Sequence, residues 1–268
     1  MRRPFWLSLA TLLLITLGGA GPTEAATTAF ISRFTITRDG QPFFDDTFSG
    51  ESASLATPRL AGGEPTAYFV VGSIPDGSVV HGRLSVRSAN GALSATADGE
   101  PRRQAGARLL TNNDPKNARA GLKSGFIFSM SALFEFVVPG GPVEGYGIRF
   151  GDFGSGHKPA HVIHLFVYRN EADGLVIRYL LQDFAAGTKT IVEDVPVSPA
   201  AGDQIRLTLS RASLQTSDVT AQYQFLKDGT PASAPLSVGT GVPIFSRGEN
   251  TWTRAEFFVF EQAPAPGR

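Results

Sequence analysis

Cysteine is absent from the 268 residues, tryptophan occurs only twice, and neither sign of charge dominates, with 24 Lys+Arg against 24 Asp+Glu. Without cysteine there is no disulfide, no thiolate metal ligand, no cysteine nucleophile and no lipid-modified cysteine, so stability must come from packing. The balanced charge excludes the strongly basic surface of a nucleic-acid binder. Helical periodicity is scarce, and no repeat or proline-rich linker divides the chain. Gly 30 and Pro 18 stay below the share that marks disorder. With 42% apolar residues the chain can bury a sizeable core.

One long apolar run is present. Arg2 and Arg3 precede Phe5 to Leu17, and Gly18, Gly19, Gly21 and Pro22 follow. Basic, apolar and small residues in that order, ending near Thr23-Glu24-Ala25-Ala26, are the layout of a secretory signal peptide cut after Ala25, with Ala20 as the second choice. About 13 apolar residues are too few to cross the roughly 20-residue hydrocarbon core as a helix. The expectation is therefore a leader at residues 1–25, no transmembrane segment after its removal, and a secreted or periplasmic product. Removal takes away Arg2, Arg3 and Glu24 and leaves 22 basic and 23 acidic side chains.

Beyond the leader, short β-branched and aromatic runs alternate with Gly, Asp, Asn and Pro, the pattern of strands joined by turns. Strands are predicted at 30–37, 43–48, 67–71, 79–87, 92–97, 107–111, 125–138, 146–150, 161–169, 175–182, 189–195, 204–210, 218–227 and 254–261. Asp39-Gly40, Asp76-Gly77, Asp98-Gly99, Asp173-Gly174 and Asp228-Gly229 are turn signals, and Asn90-Gly91 reads as the best hairpin. The stretches 51–66, 112–123 and 236–250 read as long connections.

Successive side chains of a strand point to opposite faces. Ile163, Leu165 and Val167 therefore share a core face, and Val162, His164, Phe166 and Tyr168 share the other. Leu175, Ile177, Tyr179 and Leu181 oppose Arg178 and Gln182; Tyr146, Ile148 and Phe150 oppose Arg149; Phe126, Phe128, Met130, Phe134 and Phe136 oppose Ser129, Ser131 and Glu135. One apolar and one wet, partly aromatic face per strand is the mark of antiparallel sheets packed on one side, and two such sheets stack as a sandwich. The expected organisation is one all-β sandwich over residues 26–262 and a loose tail at 263–268.

The chain resembles the concanavalin A-like lectin/glucanase superfamily in its laminin-G-like bacterial extracellular forms. The resemblance rests on Phe43-Phe44-Asp45-Asp46-Thr47-Phe48-Ser49-Gly50, Ser124 to Met130, Gly145 to Asp152, Asp203 to Leu209 and Ala255 to Phe260. It implies a jelly roll of two antiparallel sheets, a glycan bound on the concave sheet or rim loops, and a possible structural calcium. Fold alone does not carry function.

Hydrolysis of β-glucans needs carboxylates two apart on a strand, so that acid and nucleophile share a face about 5 Å apart. No predicted strand holds such a pair. Glu135 stands alone and is expected as an ion-pair partner of Arg149 if their strands are neighbours. A lyase reading would draw on His164, Tyr168, Arg149, Arg178 and Gln182 as base and neutralisers, without a motif to support it. His161 and His164 point to opposite faces and make no zinc site. The calcium implied by the resemblance would take Asp45 or Asp46 together with Glu256 if the first and last strands pair. Gly154-Ser155-Gly156 lacks the nucleophile elbow and reads as a hairpin tip.

Binding is then the leading expectation. Arg149, His164, Phe166, Tyr168, Arg178 and Gln182 form the candidate face for a glycan or another cell-surface ligand. A hydrolase or lyase with an unrecognised site, and an adhesive domain that contacts protein, are the alternatives.

Overall fold

The computed structural model describes residues 27–49, 55, 59–74, 79–80, 82–88, 92–95, 101–111, 126–141, 143–151, 161–170, 174–183, 186–216, 218–244 and 254–262. The leader at 1–25, the Asn90-Gly91 and Gly154-Ser155-Gly156 turns and the tail at 263–268 lie outside them.

The described residues form β1 (Thr28–Arg38), β2 (Gln41–Asp46), β3 (Arg59–Ala61), β4 (Glu64–Val71), β5 (Val79–Val80), β6 (Arg83–Arg87), β7 (Ala92–Ala95), β8 (Pro101–Thr111) and β9 (Phe128–Glu135). They continue as β10 (Glu144–Gly151), β11 (His161–Asn170), β12 (Gly174–Asp183), β13 (Thr188–Pro196), β14 (Gln204–Arg211), β15 (Asp218–Lys227), β16 (Thr230–Pro231), β17 (Leu236–Pro243) and β18 (Arg254–Gln262). The one helical element among them is a 3-10 turn at Pro199–Ala201.

Every ladder among the described residues is antiparallel. In the first sheet β17, β15, β14, β9 and β1 lie side by side, and β1 ends the row against β6 in its first half and β2 in its second. In the second sheet the order is β13, β12, β11, β10, β18, β8, and β8 is capped by β7 and β4. The short β3 joins β2 to β4 and carries pairing from one sheet to the other. The two sheets pack as a sandwich, with rings meeting across the interface: Phe34 and Phe257 at 5.5 Å, Phe134 and Tyr146 at 5.2 Å, Phe128 and Phe150 at 4.5 Å.

Alternation delivers that core. In β9, Phe128, Met130, Ala132 and Phe134 are buried while the residues between them are half-exposed. A register shift between Ile31 and Arg33 lets β1 bury Ala29 and Ile31 before it and Phe34 and Ile36 after it. Such a bulge changes the parity of a strand without turning its apolar side chains to water. Tyr146 and Tyr179 are buried with their hydroxyls on backbone, Tyr146 to the Val137 carbonyl at 2.9 Å and Tyr179 to the Val219 carbonyl at 2.6 Å.

Several turns behave as their residues dictate. Asp39-Gly40 and Asp228-Gly229 close two-residue hairpins in which both residues have positive φ (51° and 75° in each case). Two expectations are corrected. The residues around Asn90-Gly91 predict a hairpin, but β6 pairs with β1 and β5 while β7 pairs with β8, so the flanking strands belong to different sheets. The connection expected at 236–250 begins with β17, whose glycines hide the strand pattern; Gly239 has a φ of 63° beside a register shift.

Candidate functional site

The predicted ligand residues share the outer face of the second sheet, away from the inter-sheet core: Gln182 lies in a row with Val162 and Lys189, and the other five lie in three further cross-strand rows. The first row runs Arg108, Glu256, Arg149, His164, Leu180 across β8, β18, β10, β11 and β12. The second runs Gly106, Phe258, Gly147, Phe166, Arg178, Asp194, ending on β13. The third runs Gln104, Phe260, Gly145, Tyr168, Val176.

Glycine on β10 shapes this face. Strands two apart are separated by about 9–10 Å, yet Phe258 and Phe166, on either side of Gly147, have ring centroids 6.1 Å apart. Tyr168 and Phe260, on either side of Gly145, stack at 6.1 Å with 23° between their planes. A side chain on Gly147 would sit 2.5 Å from the Phe166 Cα, so the rings close over a strand that has none. With Val176 and Leu180 they make a second apolar cluster separate from the core.

Charge is threaded through the rings. Glu256, fully buried, accepts from Arg108 Nε at 2.6 Å and pairs with Arg149 Nη2. Arg149 also donates to Gln104 Oε1 at 3.2 Å and lies 5.0 Å from the centre of the Phe258 ring. Burial pulls the Arg149 guanidinium below its ordinary value; Glu256 opposes the shift, and the like charge of Arg108 adds to it. Arg178 grips Asp194 through two bonds of 2.7 and 2.6 Å and lies 4.5 Å from the centre of the Tyr168 ring. Each guanidinium is thus paired to a carboxylate and laid near an aromatic ring, the arrangement in which cation–π attraction and a charge-assisted fork add.

The expected wet platform is corrected. His164, Phe166 and Tyr168 are only 8%, 6% and 8% exposed, and they pack against Phe258 and Phe260. The water-facing part of the face is its margin on β12 and β13, where Arg178 and Gln182 are half-buried, Asp194 and Lys189 likewise, and Ile191 is 50% exposed. Gln182 and Lys189 are register partners there.

Two further expectations change. Arg149 does not pair with Glu135, which instead binds Arg83, because β9 lies in the first sheet and β10 in the second. Asp46 and Glu256 do not meet, since β2 and β18 share no ladder. Asp46 Oδ1 caps the Phe48 N–H at 2.8 Å, Asp45 is held by Arg33 at 2.9 and 2.7 Å, and Glu256 is satisfied by two guanidiniums. Those residues do not fit the calcium that the resemblance implied. His161 and His164 do point to opposite faces, and His161 faces Asp183 at 3.8 Å.

Arg108, Asp194, Phe258 and Phe260 complete the face and were not singled out from the sequence. Phe258 and Phe260 share parity with Glu256 on β18, which is a readable signal. Arg108 and Asp194 become relevant only once β8 lies beside β18 and β13 beside β12.

No family model matches the chain, and no curated protein is similar to it in sequence. Among solved structures it is similar to the xylan β-1,4-xylosidase of Bacillus halodurans C-125, at 8% identity over 82% of this chain and 68% of that one, with a TM-score of 0.28. It is also similar to a GH43 glycoside hydrolase engineered to display both endo-xylanase and exo-arabinofuranosidase activity, at 14% identity over 84% of this chain and 59% of that one, with a TM-score of 0.23. Likeness this slight identifies neither fold nor activity, and what the chain does has to be argued from its own residues.

Proposed function

We propose that the chain is an exported binding protein of the concanavalin A-like jelly-roll type that recognises a glycan, or another extracellular ligand rich in hydroxyls, without transforming it. The site is the β12–β13 margin of the outer face. The observation that carries the reading is the Arg178–Asp194 fork set near the Tyr168 ring, on the same margin as Ile191 and, further along the strands, Gln182 and Lys189, outside the core that holds the sheets together. A planar pair presents donors and acceptors to sugar hydroxyls, and the exposed apolar surface of Ile191 suits the C–H face of a pyranose. The ion pairs across the rest of the face hold that margin in one geometry.

The test is a glycan array with protein that starts at Ala26. Retained glycans whose binding falls at least tenfold in Arg178→Ala with Gln182→Ala support the reading. Binding unchanged in that variant, or no retained glycan, overturns it. Release of reducing or unsaturated ends from polysaccharides would replace it with a hydrolase or lyase.

A further inference from the structure

Val143, the residue before β10, has a φ of 62°. In that left-handed region the Cβ of an L residue crowds its own backbone, and a β-branched side chain crowds it most. Such a conformation persists only where its surroundings fix it. Upstream, the Tyr146 hydroxyl accepts from the Val137 N–H at 3.1 Å and donates to the Val137 carbonyl at 2.9 Å. The Arg169 guanidinium donates to the carbonyls of Pro139 and Gly140 at 3.2 and 3.3 Å, and the Arg169 carbonyl accepts from the Val143 N–H at 3.0 Å. Gly141 has no room for a side chain, since a Cβ there would lie 2.7 Å from Glu144 Oε1.

This turn borders the rings of the outer face. Val143 is half-buried and packs against the second apolar cluster, the one that holds Phe166, Tyr168 and Phe260. It shares the parity of Gly145, across which Tyr168 and Phe260 stack. Tyr168 in turn lies 4.5 Å from the Arg178 guanidinium. The ring stack thus has the strained turn at one side and the Arg178–Asp194 fork at the other.

We infer that the turn at 139–143 is a strained latch on the Tyr168–Phe260 stack, which opens while the rest of the fold stays closed and uncovers those rings to an apolar part of the ligand bound at the β12–β13 margin. Backbone strain at Val143 works against the Arg169 bonds and against the contact of the Val143 side chain. A left-handed L residue is disfavoured by a factor of about five to thirty, so the open turn is more populated than it would be with a residue that tolerates this φ. The consequence for a ligand rests on the binding reading above; the latch itself does not.

Acetylation of tyrosines by N-acetylimidazole, read by peptide mass spectrometry, tests the latch without a ligand. Tyr146 and Tyr179 are fully buried between the sheets and report opening of the whole fold. Tyr168 is expected to react about tenfold faster than either. Arg169→Met withdraws the two carbonyl bonds and should speed Tyr168 about fivefold while Tyr146 and Tyr179 keep their rates. Val143→Asn gives up an apolar contact but relieves the strain, and should slow Tyr168 about threefold. The latch is overturned if Tyr168 reacts no faster than the two core tyrosines, if Arg169→Met leaves its rate unchanged, or if Val143→Asn leaves it unchanged or raises it. A glycan retained on the array should protect Tyr168; a retained glycan that leaves its rate unchanged refutes the link to the margin. Absence of any retained glycan refutes the binding reading alone.

Discussion

Glu256 on β18 stands directly across from Arg149 on β10, and the carboxylate is fully buried between that guanidinium and the one of Arg108. A buried ion that loses its partner keeps its desolvation penalty. Glu256→Gln should therefore destabilise the protein by about 3–5 kcal/mol, read from the urea midpoint. Glu256→Leu combined with Arg149→Leu should cost less than the sum of the single changes. Additive losses would show that the two charges do not depend on one another.

Glycine at 147 is required by space, and glycine at 40 by conformation. A Cβ on Gly147 meets the backbone of β11, which cannot give way locally. Gly147→Ala should cost about 1–3 kcal/mol or more and disturb the ring pair above it. Gly40 has nothing within 4 Å of an added Cβ but a φ of 75°, so Gly40→Ala should cost only about 1–2 kcal/mol. Thermal melts of the two variants rank them; a milder effect at 147 than at 40 would contradict the closed packing of the outer face.

Alkaline pH should unfold the protein through its buried tyrosines. Burial pushes the Tyr146 and Tyr179 hydroxyls above their ordinary value, which is about 10, with the charge of Asp218 adding to the effect at Tyr179. An acid whose folded value is raised stays protonated in the fold while the unfolded chain releases its proton. The stability it contributes is thus intact below pH 10 and falls above it. Urea unfolding at stepped pH should show the decline begin near pH 10, and Tyr146→Phe with Tyr179→Phe should flatten it. A decline of the same slope in the double variant would exclude these hydroxyls as its cause.

Calcium should have no effect on melting. Asp45, Asp46 and Glu256 each have protein partners, on strands that do not pair. A Tm raised by millimolar calcium, or lowered by a chelator, would reveal a site of different composition.

Much of the secondary structure could be read in advance because strand alternation and tight turns are local. The residues 162–168 and 175–182 divide between faces as their sequence predicts, and the Asp-Gly pairs at 39–40 and 228–229 adopt the left-handed φ values that such hairpins need. Strand β17 was not readable, since Gly239 and Gly241 interrupt the β-branched pattern around Val238 and Val242. Alternation also says nothing about what lies against a face, so the sequence leaves open whether Phe166 and Tyr168 face water or are covered.

From its sequence alone this chain is a set of antiparallel strands, each with one apolar and one mixed face. Which strands became neighbours was decided in three dimensions. Glu256 found Arg149 rather than Asp46, Glu135 found Arg83, and β6 and β7 parted to different sheets. The physical reason is that side-chain parity is set within a strand by backbone geometry, whereas ladder partners are chosen by packing two whole sheets around one core.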